Sequence, residues 1–238
     1  MRHFGVVGVV LLAGAASIGL GCNSITGSAD LRVSGDTGAG STGVGGGGGS
    51  SSSSGMMMTQ CKYPTTGLGF RVGDVVPPKH TWQGFGDNTK ATDKPTTVSL
   101  DDYYDCDGSK GINAVLVDTS ALWCGACQQA ASTLTAEIKA SWAALGIRVI
   151  TLMVDDAQPG MPATIKTVQG WKAMFNLSNS TVVADPGFTF APPGVMSVGL
   201  PVEDILDPRT MKLVDSQEGF SGDYSTLIAL AKKNAVKK

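Results

Sequence analysis

The sequence predicts an α/β domain, and three observations predict it: short apolar runs of strand length, apolar stripes at helical spacing between them, and turn residues where they meet. The first run is Ile112-Asn-Ala-Val-Leu-Val117, which has the length and composition of a strand at the centre of a parallel sheet. Behind it, apolar residues recur at Ala131, Leu134, Ile138, Trp142 and Leu145. That spacing lays one stripe along a helix beginning near Cys127. A second run, Ile147 to Val154, predicts a strand that ends at Asp155-Asp156. A helix is expected over 164–175, and Thr181-Val-Val-Ala184 reads as a short strand. From Asp204 to Val214 the pattern is a hairpin turning at Asp207-Pro-Arg, since aspartate and proline favour turns. A last helix runs from Tyr224 to Ala235.

The chemistry lies at the first strand-to-helix junction, in Asp118-Thr-Ser-Ala-Leu-Trp-Cys124-Gly-Ala-Cys127. At a helix N-terminus the unpaired backbone N–H groups and the positive end of the macrodipole favour an anion, so Cys124 is expected as a thiolate. A thiolate attacks disulfides. Cys127, one turn further in, is placed to attack the resulting mixed disulfide and release it, so the pair can cycle between dithiol and disulfide. Two other readings of the same four residues stand beside this one. An inert structural bridge is the first. The second is half of a zinc site, but zinc takes four ligands and His80 is the single histidine beyond the first residues, which leaves a four-cysteine site with Cys61 and Cys106.

At Val117-Asp118 and Trp123-Cys124-Gly125-Ala126-Cys127 the sequence resembles the thioredoxin superfamily. The resemblance implies a thioredoxin-like fold: a central mixed β-sheet flanked by helices. It implies that Asp118 lies buried beneath the pair and assists proton transfer at Cys127. It also matches Gly199-Leu200-Pro201 to the segment in which a cis proline faces the reactive cysteine, so that Leu200, Pro201 and Trp123 would meet the substrate peptide. Ala126 stands where thioredoxin has proline, which bears on the redox potential. Within the superfamily, Val72-Gly-Asp-Val-Val-Pro-Pro78 and Thr97-Val-Ser-Leu100 resemble the strand-rich N-terminal extension of the redoxins and the membrane-tethered TlpA-like oxidoreductases. The core resemblance covers roughly residues 112 to 235.

The N-terminus predicts export. Arg2 and His3 precede an uncharged apolar run, Phe4 to Leu20, ending at Gly21-Cys22, which reads as a signal peptide over 1–21. Cys22 resembles the lipidated cysteine of a bacterial lipoprotein, although Gly19 stands where leucine is usual; an ordinary cleaved signal or an uncleaved anchor are the alternatives. Asn23 is not the aspartate that retains enteric lipoproteins at the inner membrane, which favours the outer membrane. Residues 22–60 are rich in Gly and Ser, too poor in large apolar side chains to offset ordering entropy, so they are expected as a disordered tether. As a flexible coil, that tether has a root-mean-square reach of about 30–35 Å. Residues 61–238 remain as one domain of ordinary size. Met56-Met-Met58 is read as linker composition rather than a copper site.

A net charge of −2 offers no basic face for nucleic acid. Of the five cysteines, Cys61 and Cys106 remain once Cys22, Cys124 and Cys127 have been placed. In an oxidising compartment they are expected to form a structural disulfide, stabilising by about 4 kcal/mol in the chain-entropy model; exchange with the active pair, or free thiols, are the rivals.

The expected activity is thiol-disulfide exchange on protein thiols and disulfides. No cofactor and no metal is expected, and the protein is expected to be a monomer. The resemblance to TlpA-like proteins favours the reducing direction, with a membrane electron donor, although superfamily potentials span about 150 mV. A thiol peroxidase of the alkyl hydroperoxide reductase type shares the fold, but its Pro-x-x-x-Thr-x-x-Cys pattern is missing before Cys124. A tethered, non-enzymatic binding module is the third class, and the intact Cys-x-x-Cys argues against it.

Overall fold

The computed structural model describes residues 61–192 and 198–235; the predicted signal peptide, Cys22 and the tether lie outside the described residues. In chain order the elements are β1 (Thr81–Phe85), β2 (Thr96–Ser99), β3 (Ala114–Ala121), α1 (Gly125–Glu137), β4 (Ile147–Asp155), α2 (Ile165–Met174), β5 (Thr181–Ala184), β6 (Val202–Asp207), β7 (Lys212–Glu218) and α3 (Ser225–Asn234). They build one seven-stranded sheet in the order β2-β1-β5-β4-β3-β6-β7. β3, β4 and β5 run parallel, and the remaining pairings are antiparallel, so the sheet is mixed.

All eight residues of β3 are buried, as expected of a strand covered on both faces. The strand is longer than the apolar run alone suggests. It begins at Ala114 rather than Ile112 and continues through Asp118, Thr119 and Ser120 to Ala121. Asp118 therefore lies within the strand and not at its end. The three polar residues stay in the sheet because their backbones pair with β4, and Asp118 and Thr119 also pair with β6.

The register fixes which side chains share a face. Asp118 stands beside Thr151 on β4 and Glu203 on β6, and Thr151 beside Val182 on β5. The three α-helices pack on this face. α1 and α3 meet it at Leu116, Val149 and Ile205 through Leu134, Ile138, Trp142, Tyr224 and Leu227, while α2 brings Val168 and Trp171 against Met153 and Val182. On the opposite face Val115, Val117, Ile150, Leu152 and Leu206 lie under Val75, Val76, Leu100 and Tyr103 of the N-terminal extension. The α-helix itself ends at Glu137, but a π-helical turn over Ile138–Trp142 carries the stripe onward, so Ile138 and Trp142 are still buried.

The extension adds two strands, but not both where the sequence places them. Val72 to Pro78 makes only isolated bridges, Val75 with Leu68 and with Lys212. The second strand is instead β1, whose alternation of Trp82 and Phe85 is interrupted by Gly84. That glycine lies so close to β5 that a Cβ would run into the backbone of Val182 and Val183. β2 matches the segment expected over Thr97–Leu100, shifted by one residue because Ser99 caps a 3-10 turn that begins at Leu100. Among the described residues no helix is long and apolar enough to cross a membrane.

Candidate redox site

Cys124 is the N-cap of α1, with extended backbone (φ −83°, ψ 111°), and its Sγ accepts the Cys127 N–H at 3.2 Å. This is one of the donors that a helix start leaves free. No acidic residue stands in the first turn of α1 to cancel its positive end. The Leu200 carbonyl oxygen lies 3.6 Å from the same sulfur, and a carbonyl favours a thiol over a thiolate. The amide is nearer and belongs to the positive end of the helix. In the structure Cys124 and Cys127 are joined as a disulfide, with Cα atoms 5.2 Å apart. Both cysteines are buried, in one apolar cluster with Ala121, Ala131 and Met153, and Leu200 and Phe188 pack against it.

The Leu200–Pro201 peptide bond is cis, and β6 begins at the next residue. Trp123 is 40% exposed. Its indole N–H donates to Asp155 Oδ2 at 3.1 Å, and the same oxygen accepts the Gly160 N–H at 3.0 Å. Asp155 thus holds the ring at the rim of the pair. Cys61 and Cys106 are bonded to each other, with Cα atoms 5.8 Å apart. The structure therefore brings Cys124, Cys127, Trp123, Leu200 and Pro201 to one place and sets Cys61 and Cys106 in a separate pair.

Asp118 is fully buried, on the face that α1 covers. Desolvation pushes its carboxyl up to about 7; the hydroxyls of Ser120 and Thr151 oppose that rise, and the nearby Glu203 adds to it. The Ser120 hydroxyl lies 2.9 and 3.0 Å from the two Asp118 oxygens. A carboxyl in that range exchanges a proton near neutral pH. Glu203, Tyr224, Ser120 and Asp155 escaped the sequence reading. Only Ser120, two residues from Asp118 on the same strand, left a local signal.

No protein-family model and no curated protein matches the sequence. Among solved structures, the chain is similar to an uncharacterized conserved protein from Geobacillus kaustophilus, at 16% identity and a TM-score of 0.51, over 71% of this chain and 86% of that one. The fold is thioredoxin-like. Further matches are a protein assigned as the thiol:disulfide interchange protein DsbE of Chlorobium tepidum (23% identity, TM-score 0.48, 68% and 97% of the two chains) and Peroxidoxin BcpB of Mycobacterium tuberculosis (15%, 0.47, 71% and 99%). A fold shared so widely does not choose an activity; the residues at the site must do so.

Proposed function

We propose that the protein is an extracytoplasmic thiol-disulfide oxidoreductase that reduces protein disulfides through Cys124 and Cys127. The observation that carries this reading is the placement of Cys124 at the start of α1, its sulfur on the Cys127 amide and its partner thiol one turn behind. In the reduced protein the Cys124 thiolate attacks one sulfur of a substrate disulfide. A mixed disulfide forms, and the other substrate sulfur leaves with the electron pair. Cys127 then gives its proton to Asp118 and attacks Cys124 Sγ, which expels the second substrate sulfur and leaves the Cys124–Cys127 disulfide. Two electrons pass to the substrate. A membrane-held dithiol donor restores the pair.

The substrate chain lies along the backbone at Leu200 and Pro201, where an extended peptide meets the Leu200 carbonyl beside the reactive sulfur, with Trp123 as an apolar rim. Cys61–Cys106 is proposed as a structural disulfide. It closes a loop across a sequence separation of 45, so replacing both cysteines by serine lowers unfolding free energy by about 4 kcal/mol. Urea denaturation measures that loss, and peptide mapping that joins Cys61 to Cys124 or Cys127 refutes the assignment. Export by the N-terminal signal, lipidation at Cys22 and an outer-membrane anchor complete the proposal and suit a tethered domain facing protein substrates.

The reading is tested with the mature protein, a dithiol donor and insulin. Insulin precipitates as its disulfides are reduced, while added hydrogen peroxide is not consumed above the donor's own rate. Peroxide consumption with no insulin reduction makes the protein a thiol peroxidase instead.

A further inference from the structure

Two carboxylic acids stand side by side beneath the redox helix. Asp118 on β3 and Glu203 on β6 are direct cross-strand partners, so their side chains leave the sheet on the same face, with Cβ atoms about 5 Å apart as in any such pair. Both are buried, at 0% and 5% exposure. The Tyr224 hydroxyl, at the N-cap of α3, donates to Glu203 Oε1 at 2.8 Å.

The elements packed on this face bring few charges to the pair, and the buried Lys172 of α2 is bonded to the carbonyls of Gly86, Leu177 and Ser180. α1 brings Cys124, Cys127 and Glu137; β7 brings Gln217 opposite Glu203 and Asp215 two residues along; β4 brings Thr151. The two lysines of α3, Lys232 and Lys233, stand in its last turn, at the far end from Tyr224. Among the described residues neither Asp118 nor Glu203 forms an ion pair. Two adjacent buried carboxylates without a cation do not both ionise readily, because each charge raises the cost of the other. A charge on either one therefore raises the proton affinity of the other. Desolvation raises Glu203 as it does Asp118, and the Tyr224 hydroxyl works against that rise.

We propose that Glu203, anchored by Tyr224, is a positioning residue that fixes the pH range in which Asp118 accepts the proton of Cys127. The proposal rests on the redox reading above. With Glu203 ionised, Asp118 binds a proton more strongly than it would beside a neutral neighbour. In the resolving step the Cys127 S–H proton passes to the Asp118 carboxylate and the Cys127–Cys124 bond forms. The bond from Cys124 to the substrate sulfur breaks, and that sulfur leaves with the electron pair and takes a proton from water. Glu203 touches none of the reacting atoms and acts through Asp118 alone.

The test follows the Asp118 side-chain carbon by NMR in the oxidised mature protein, which requires no turnover, beside the pH profile of insulin reduction. Glu203→Gln keeps the shape and removes the charge. It moves the Asp118 midpoint down by about one to two pH units, and the acid limb of the reduction profile moves with it. Tyr224→Phe draws the shared proton towards Glu203 and moves the Asp118 midpoint in the same direction. An unchanged midpoint in both variants overturns the proposal. So does a shifted midpoint with an unmoved acid limb in a protein that reduces insulin normally. Failure of the wild-type protein to reduce insulin at all is instead a failure of the redox reading, and it takes the role given to Glu203 with it.

Discussion

Replacing Cys124 with serine lowers insulin reduction by about 10³-fold or more, to the rate of the donor alone, while replacing Cys127 with serine leaves the first step intact. The two outcomes differ because the sulfurs occupy different positions on the same helix. Cys124 is the N-cap, and its Sγ receives an amide N–H; a serine hydroxyl there accepts the same hydrogen bond but has no comparable fraction of anion at neutral pH. Cys127 is fully buried and meets substrate only through Cys124. In Cys127→Ser the attack proceeds and the mixed disulfide has no resolving thiol, so the covalent complex accumulates. Non-reducing electrophoresis and intact mass measure it directly. A stable adduct on Cys127 in the Cys124→Ser protein, with reduction retained, would reverse the two roles.

Asp118→Asn slows the resolving step by about 100-fold near neutral pH, the ordinary worth of a positioned proton acceptor, and flattens the dependence of that step on pH between about 6 and 8. The stability of the protein responds in the opposite sense. Burial raises the Asp118 carboxyl from 3.8 to about 7 in the folded chain, so folding favours the protonated form. The folded protein then carries no penalty from this group below pH 4, loses stability as pH rises from 4 to 7, and is penalised fully above 7. A shift of about three pH units corresponds to about 4 kcal/mol at most. The asparagine variant is thus more stable than wild type above neutral pH and similar to it at pH 4, while being a slower enzyme. Urea unfolding at pH 4.5 and pH 8 separates this from simple damage to the core, which lowers stability at both.

Much of this was legible from the chain alone because it is local. A strand followed at once by a helix, with two cysteines at the junction, needs only residues 112 to 145 to be read, and α2, β5 and α3 fall within a residue or two of where periodicity and turn residues place them. The losses are non-local. β1 went unread because Gln83 and Gly84 break its apolar pattern, and Gly84 is explained only by the backbone of β5, roughly a hundred residues on. Asp118 was recognised as the buried acid, but its partner Glu203 was not. Nothing in the order Pro201-Val202-Glu203-Asp204 says which of the two acids faces the helices. That follows from the register of β6 against β3. The sequence offers Trp123 as a residue that meets substrate, but not the carboxylate that holds it, which is Asp155 on the neighbouring strand.

Disulfide exchange by this pair depends on Cys124 being ionised at the pH where the protein works, and alkylation tests that most directly. The fully reduced protein is treated with iodoacetamide across pH 5 to 10, and modification of Cys124 and Cys127 is followed separately by mass. Cys124 reacts first, with a midpoint at or below about 7, clearly under the free-thiol value of about 8.5, while Cys127 reacts slowly and at higher pH. Midpoints at or above 8.5 for both thiols would contradict the account.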